Sequence, residues 1–297
     1  MDVRSVVITG NCMVGGIVEG LAAAMPSLDI QGFSAWELET PEQRTLAAAK
    51  IDTAGAWLRM PLPENTDIEA AVNPREVIDL PHLAFAGFHP DAIYAVRGDG
   101  GIFRGITDYH SAIGLWAWRK GLDPETAARL FTPDIMQRLT YDRYWDPSVT
   151  ALKQDFADSS LSFSTFWARL KRSGVFMHTI NHPTAPALAL LAKAIAVRLG
   201  ADDTVWDIPT ERYTQDLLSH IVWPVYPWVG TSLGVDGAFR WKMDGRVFGT
   251  VEDWLEATWV AYGDVDRNDV TSGRIDDGLY DDVLGRGLAA IGVKVAQ

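Results

Sequence analysis

The stretch Val6-Val7-Ile8-Thr9-Gly10-Asn11-Cys12-Met13-Val14-Gly15-Gly16 limits the fold of this chain more than any other. An apolar, β-branched run reads as a strand and ends in a tight Gly-Asn-Cys turn. Apolar residues then recur at helical spacing at Ile17, Val18, Leu21, Ala22 and Met25. Strand, turn and amphipathic helix in that order open a parallel α/β unit. Ligands of such units bind at the carboxyl ends of the strands, which is where this turn falls.

The turn carries Cys12, the only cysteine of the chain. A thiol between a strand end and a helix N-terminus meets unsatisfied N–H groups and the positive end of the helix dipole. Both favour the nucleophilic thiolate. The competing reading is a small residue filling a tight turn, since buried cysteine is commonly inert packing. One cysteine excludes an intramolecular disulfide framework and fits a reducing compartment. The first residues lack the basic and apolar regions of a signal peptide, and no apolar run approaches the ~20 residues of a membrane span. The expectation is a cytoplasmic protein with no membrane span. A net charge of −13 opposes a nucleic-acid partner or an anionic membrane surface. A small anionic ligand would need a local site made of a helix N-terminus and a few Arg or Lys residues.

Taken in order, the pattern predicts a strand at 4–9, a helix at 13–25 and a strand at 29–36. A helix follows at 41–51 with Thr40 as N-cap and Pro41 at its start. Further strands are predicted at 56–61 and, near an edge because of Pro81, at 80–88. Beyond about residue 110 the pattern turns helical. Starts fall at Ser111, Asp123-Pro124 and Thr132-Pro133, and helices at 148–157 and 162–172. The clearest helix opens at Pro186 and closes at Gly200, with Leu188, Leu191, Ala192, Ile195 and Leu199 as its apolar stripe. Helices are also predicted at 210–222, 251–262 and 278–291, with a hairpin punctuated by Gly237 and Gly245. The fold class is therefore α/β. A small N-terminal parallel sheet with flanking helices (1–107) carries the turn, and a predominantly helical part (108–297) packs with it as one globular unit.

Three histidine segments stand at loop-like positions: Gly87-Phe88-His89-Pro90-Asp91, Asp108-Tyr109-His110-Ser111 and His178-Thr179-Ile180-Asn181-His182-Pro183. Polar residues in such places are set to meet a ligand, although any one of them is more often structural. With a turn-borne cysteine they suit nucleophilic acyl transfer, in which a His base deprotonates the thiol and N–H groups hold the oxyanion. His110, flanked by Asp108 and Ser111, is the first choice of base; His89 with Asp91 is the second. Direct transfer, with the base acting on the acceptor hydroxyl, is equally compatible. His178 and His182 have i, i+4 spacing, but Thr179 stands where a zinc helix has Glu and Pro183 follows, so no metal is expected. Tyr141, Tyr144 and Trp145, and the segment Trp223-Pro-Val-Tyr226-Pro-Trp228, have the aromatic content to stack on sugar rings, but most tryptophans are core or interface anchors, which is the favoured reading.

Gly10-Asn11-Cys12, Phe88-His89-Pro90-Asp91 with Tyr94, Tyr109-His110-Ser111 and Asn181-His182-Pro183 together resemble the WcbI-type family of polysaccharide biosynthesis acetyltransferases, in register over roughly residues 5–200. The resemblance implies a largely helical fold of unusual topology, binding of coenzyme A or acetyl-CoA, and acyl transfer to a saccharide acceptor. It places the Gly-Asn-Cys turn in the active site, with Cys12 as nucleophile or beside the cofactor thiol and Asn11 at the oxyanion. Cofactor contacts then fall to Gly10, Asn11, Cys12, Met13, Tyr109, His110, Ser111, Asn181 and His182. Arg104, Arg119, Lys120, Arg143, Lys171 and Arg172 are the cations available to the phosphates. Met13 stands where the family pattern has Gln, and the region after 205 matches no part of the family pattern. A Cys/His esterase or thioesterase and a non-catalytic CoA- or sugar-binding protein are the alternatives; a homo-oligomer is compatible with all three.

Overall fold

In the structure, a computed structural model that describes residues 4–62, 68, 71–210 and 216–293, strand β1 (Ser5–Gly10) lies inside a parallel sheet. It pairs with β2 (Asp29–Ser34) on one side and β3 (Ala56–Arg59) on the other. Strand β4 (Val77–Asp79) joins the far edge of β3, giving the order β2-β1-β3-β4. The fourth strand predicted at 80–88 is thus displaced to 77–79. Pro81 has no N–H for the ladder, and the chain leaves the sheet before it.

Helix α1 (Val14–Ala24) connects β1 to β2, and α2 (Pro41–Thr53) connects β2 to β3. Thr40 caps α2 by accepting from the Gln43 N–H at 3.3 Å. The two sheet faces differ in what covers them. Val7, Phe33 and Trp57 join Leu38, Ala47 and Ile51 in a core with α2. Thr9 lies on this face too, wholly buried, and its hydroxyl accepts from the Trp57 indole N–H at 3.0 Å. Gly32, in register with Ile8, faces α1, where a Cβ would come within 2.6 Å of Val14. Helix packing against the strand there needs glycine.

The chain continues through β5 (Ala92–Ile93), β6 (Val96–Arg97) and β7 (His110–Ser111) into a helical series. These are α3 (Ala112–Arg119), α4 (Pro124–Ala128), α5 (Pro133–Arg138), α6 (Trp145–Ala157), α7 (Phe163–Leu170) and α8 (Ala185–Arg198). Ser111, Asp123 and Thr132 cap α3, α4 and α5 through their side chains, as their positions before the helical runs predict. After them come β8 (Ile221–Val222), α9 (Pro227–Leu233) and the hairpin β9 (Trp241–Met243) and β10 (Arg246–Phe248). Asp244 and Gly245, both at positive φ, make the hairpin turn. Last are α10 (Val251–Tyr262), β11 (Val270–Thr271) and α11 (Leu279–Ala290). The helix predicted at 210–222 is absent where the residues are described: Ile221–Val222 is a strand that pairs with β9, and 211–215 lie outside the described residues. Between α7 and α8 the chain makes an isolated bridge of Met177 with Pro183.

The fold is an N-terminal four-stranded parallel sheet with flanking helices followed by a mostly helical region. Its residues fall into two compact units, Met1–Ala84 with Val149–Ser219, and Phe85–Ser148 with His220–Gln297. Among the described residues no helix is long and apolar enough to cross a membrane.

Because Thr9 and Trp57 are both buried, Thr9→Val keeps the shape of the core but leaves the indole N–H without its acceptor. The expected cost is about 1–3 kcal/mol. It should appear as a lower urea midpoint with an unchanged m-value, and an unchanged midpoint would show that the bond adds nothing.

Candidate active site

In the first unit, β1 lies between β2 and β3; the connection after β1 runs to β2 and the one after β3 runs to β4, so they diverge at the adjacent carboxyl ends of β1 and β3. This is the switch point at which open parallel sheets bind ligands. Gly10 lets the chain turn there: a Cβ on it would lie 2.9 Å from the Met60 Cβ, beyond the end of β3. Asn11 accepts from the Met13 N–H at 3.0 Å through Oδ1, and the Val14 N–H reaches the Asn11 carbonyl at 3.2 Å. The side chain expected at the oxyanion therefore spends its carbonyl oxygen on shaping the turn. Met13 is wholly buried and packs into the core.

Cys12 is a free thiol, half-buried between the end of β1 and the start of α1. Burial pushes its pKa up, outweighing the opposing pull of a backbone hydrogen bond. At rest the thiol is therefore protonated, and a proton acceptor is needed before it can attack.

The third histidine segment belongs to the same unit. Residues 176–184 form a narrow loop: the His178 N–H donates to the His182 carbonyl at 2.7 Å, and the Thr184 N–H donates to the Phe176 carbonyl at 3.0 Å. Thr179, wholly buried, braces it from inside by accepting from the His182 N–H at 3.2 Å. The loop runs directly into α8, where Thr184 is the N-cap and His182 is buried. His178, largely buried, donates from Nε2 to the Asp216 carboxylate at 2.7 Å. The two residues are 38 positions apart, and no local motif marks Asp216.

Two contacts tie this region to the turn. A Cβ on Gly15 would come within 2.9 Å of Leu217, the residue after Asp216. Gly16 lies against Leu188, near the start of α8. Both glycines are in the first turn of α1, so Leu217, next to Asp216, and Leu188, near the start of α8, lie against the part of the helix that follows Cys12.

A cavity of about 540 Å³ opens beside the carboxyl ends of β3 and β4. Arg59, Asp79, His82, Asp155 and Asp158 line it, with Arg59 bonded to Asp79 at 2.7 Å. Burial lowers the pKa of His82 and raises that of Asp155.

His89, Asp91, Tyr109, His110 and Ser111 belong to the second unit, where their bonds are structural. His110 is wholly buried. Its Nε2 donates to the Phe103 carbonyl at 3.0 Å and its Nδ1 accepts from the Tyr262 hydroxyl at 2.8 Å. Both ring nitrogens are committed, so the residue expected first as base has none left for a substrate proton. His89 donates from Nδ1 to the Pro224 carbonyl at 3.3 Å. Asp91 accepts from Tyr141 at 2.6 Å, from Tyr226 at 2.8 Å and from the Ile113 N–H at 3.1 Å. Tyr109 packs on Tyr94, and Ser111 is the cap of α3. Of the cations considered for phosphates, Arg104, Arg119 and Lys120 are paired with Asp108, Asp276 and Asp281.

Residues 5–204 match the model of a family described as polysaccharide biosynthesis enzyme WcbI. The fold is similar to a solved structure of WcbI, described as a novel polysaccharide biosynthesis enzyme and as the native protein without a disulfide bond between coenzyme A and a cysteine. The TM-score is 0.73 at 15% identity, covering 97% of this chain and 96% of that one. The family match stops at residue 204, in line with the sequence reading of the region after 205, whereas the likeness of fold covers 97% of the chain and extends past it. No curated protein matches the chain.

Burial lowers His110 from 6.5 to about 4, against smaller opposing effects of the Phe103 carbonyl and Asp108. The unfolded chain takes up this proton below about pH 6.5 and the folded chain only near pH 4, so stability falls as pH drops through that window. The full shift corresponds to about 3 kcal/mol. Urea midpoints measured from pH 7 to pH 4 should fall less steeply in His110→Gln than in the wild type. Equal slopes would remove His110 as the source.

Proposed function

The chain belongs to the WcbI polysaccharide biosynthesis enzyme family, and from that premise we propose that it is a coenzyme A-dependent O-acyltransferase, using acetyl-CoA, that acylates a saccharide or sugar precursor. One observation carries the reading. The description of the solved WcbI structure names coenzyme A and a cysteine of that protein as partners in a disulfide that the native form lacks. This chain has a single cysteine, and it stands at the carboxyl end of β1, where the topology directs ligands.

In this reading Cys12 meets the cofactor thiol or its thioester, and the N–H groups that begin α1 supply donors for the oxyanion. Asn11 holds those groups in place through its bond to Met13. Asn181 and His182 line the cofactor side from the loop before α8. The cavity lined by Arg59, Asp79 and Asp155 would take the acceptor, since carboxylates and a guanidinium are the groups that bond sugar hydroxyls from both sides. A lone free thiol and a thioester donor suit a reducing, cytoplasmic setting.

Titration calorimetry should show coenzyme A and acetyl-CoA binding to the wild-type protein. Treatment with coenzyme A disulfide should then add one cofactor to the wild type and none to Cys12→Ala by intact mass. Absence of binding at millimolar cofactor would overturn the reading. Binding with no mixed disulfide would separate Cys12 from the cofactor thiol.

A further inference from the structure

We propose that His178, oriented by Asp216, is the general base that removes the proton of Cys12. The inference rests on the acyl-CoA reading and adds to it a proton acceptor from the unit that holds Cys12.

The arrangement has three parts. His178 Nε2 donates to Asp216 at 2.7 Å, which fixes the ring proton on Nε2 and leaves the lone pair on Nδ1. The His178 side chain is 14% exposed, so it is largely enclosed by its surroundings. Its backbone is fixed by the 2.7 Å bond to the His182 carbonyl. Asp216 is one Cα step, about 3.8 Å, from Leu217, which lies on Gly15. Cys12 precedes Gly15 by less than one helical turn, about 5.4 Å of rise. Leu217, next to the orienting carboxylate, and the thiol therefore share the N-terminal end of α1.

The chemistry balances with the donor already named. The Cys12 S–H proton passes to His178 Nδ1, and the sulfur attacks the thioester carbon of acetyl-CoA. The carbon–sulfur bond to coenzyme A breaks, and the leaving thiolate takes the proton back from the imidazolium. The acceptor hydroxyl then attacks the acyl-cysteine, giving its proton to the same Nδ1, from which it returns to the Cys12 sulfur. His178 is the catalytic residue of this step; Asp216 is a positioning residue acting through it.

Cys12 is the only cysteine, so iodoacetamide reads its ionisation directly. At pH 7, His178→Gln and Asp216→Asn should each slow alkylation by about tenfold or more, and both should converge on the wild-type rate at high pH, where the thiol ionises unaided. Loss of structure would expose the thiol and speed the reaction, the opposite sign. Equal rates at every pH, or faster alkylation in variants that keep the wild-type urea midpoint, would overturn the proposal. Calorimetry with coenzyme A on the wild-type protein tests the acyl-CoA reading separately: binding together with unaltered alkylation in the variants condemns the base and spares the function.

Discussion

Strand β1 is hydrogen-bonded in parallel on both sides and covered on both faces, and the rest of the first unit follows from that. A strand so enclosed can receive a ligand only at its end. The connections after β1 and β3 diverge at their adjacent carboxyl ends and leave the crevice open there. Gly10 permits the sharp exit past Met60, and Asn11 ties the turn to the first helical N–H groups. Cys12 is thereby held at the crevice by backbone geometry.

The six histidines of the chain include two kinds of environment that sequence context does not separate. His110 has both nitrogens bonded and a pKa near 4, which makes it a neutral strut between Phe103 and Tyr262. His178 has one nitrogen on a carboxylate, the arrangement that sets tautomer and orientation for proton transfer. Flanking acids made His110 the stronger candidate in the sequence, yet Asp108 is taken by Arg104. The carboxylate that matters to His178 comes from a segment 38 residues away.

Asp91 organises the second unit in a comparable way. Tyr141 and Tyr226 donate to its two oxygens, Tyr280 bonds Tyr141 at 3.0 Å, and Arg274 lies over Tyr144 and donates to the Pro90 carbonyl at 2.5 Å. The buried carboxylate is tolerated because Tyr141, Tyr226 and the Ile113 N–H donate to it, and such a network penalises alternative packings. Beside it Trp241 stacks on Trp254 with centroids 4.4 Å apart, and both are buried together with Trp223. Most of the aromatic residues flagged by the sequence are therefore core, as their type predicts.

The local features of this fold were legible from residue order alone. The β-branched run, the Gly-Asn-Cys turn and the Ile17/Leu21 spacing specify strand, turn and helix. Thr40, Ser111, Asp123 and Thr132 announce helix starts, because each depends on interactions within a few residues. The extended run at 80–88 misled because apolar content without a usable N–H at Pro81 cannot extend a ladder. What only the tertiary structure decided were the pairings across distance: Thr9 with Trp57, Leu217 over Gly15, Asp91 with the hydroxyls of Tyr141 and Tyr226 from two separate segments, and Asp216 with His178. A side chain's protonation and reach depend on what lies opposite it in space, and residue order alone does not specify that neighbour. The sequence by itself therefore located the turn and its thiol, while the fold decided which histidine of the same unit is paired with a carboxylate.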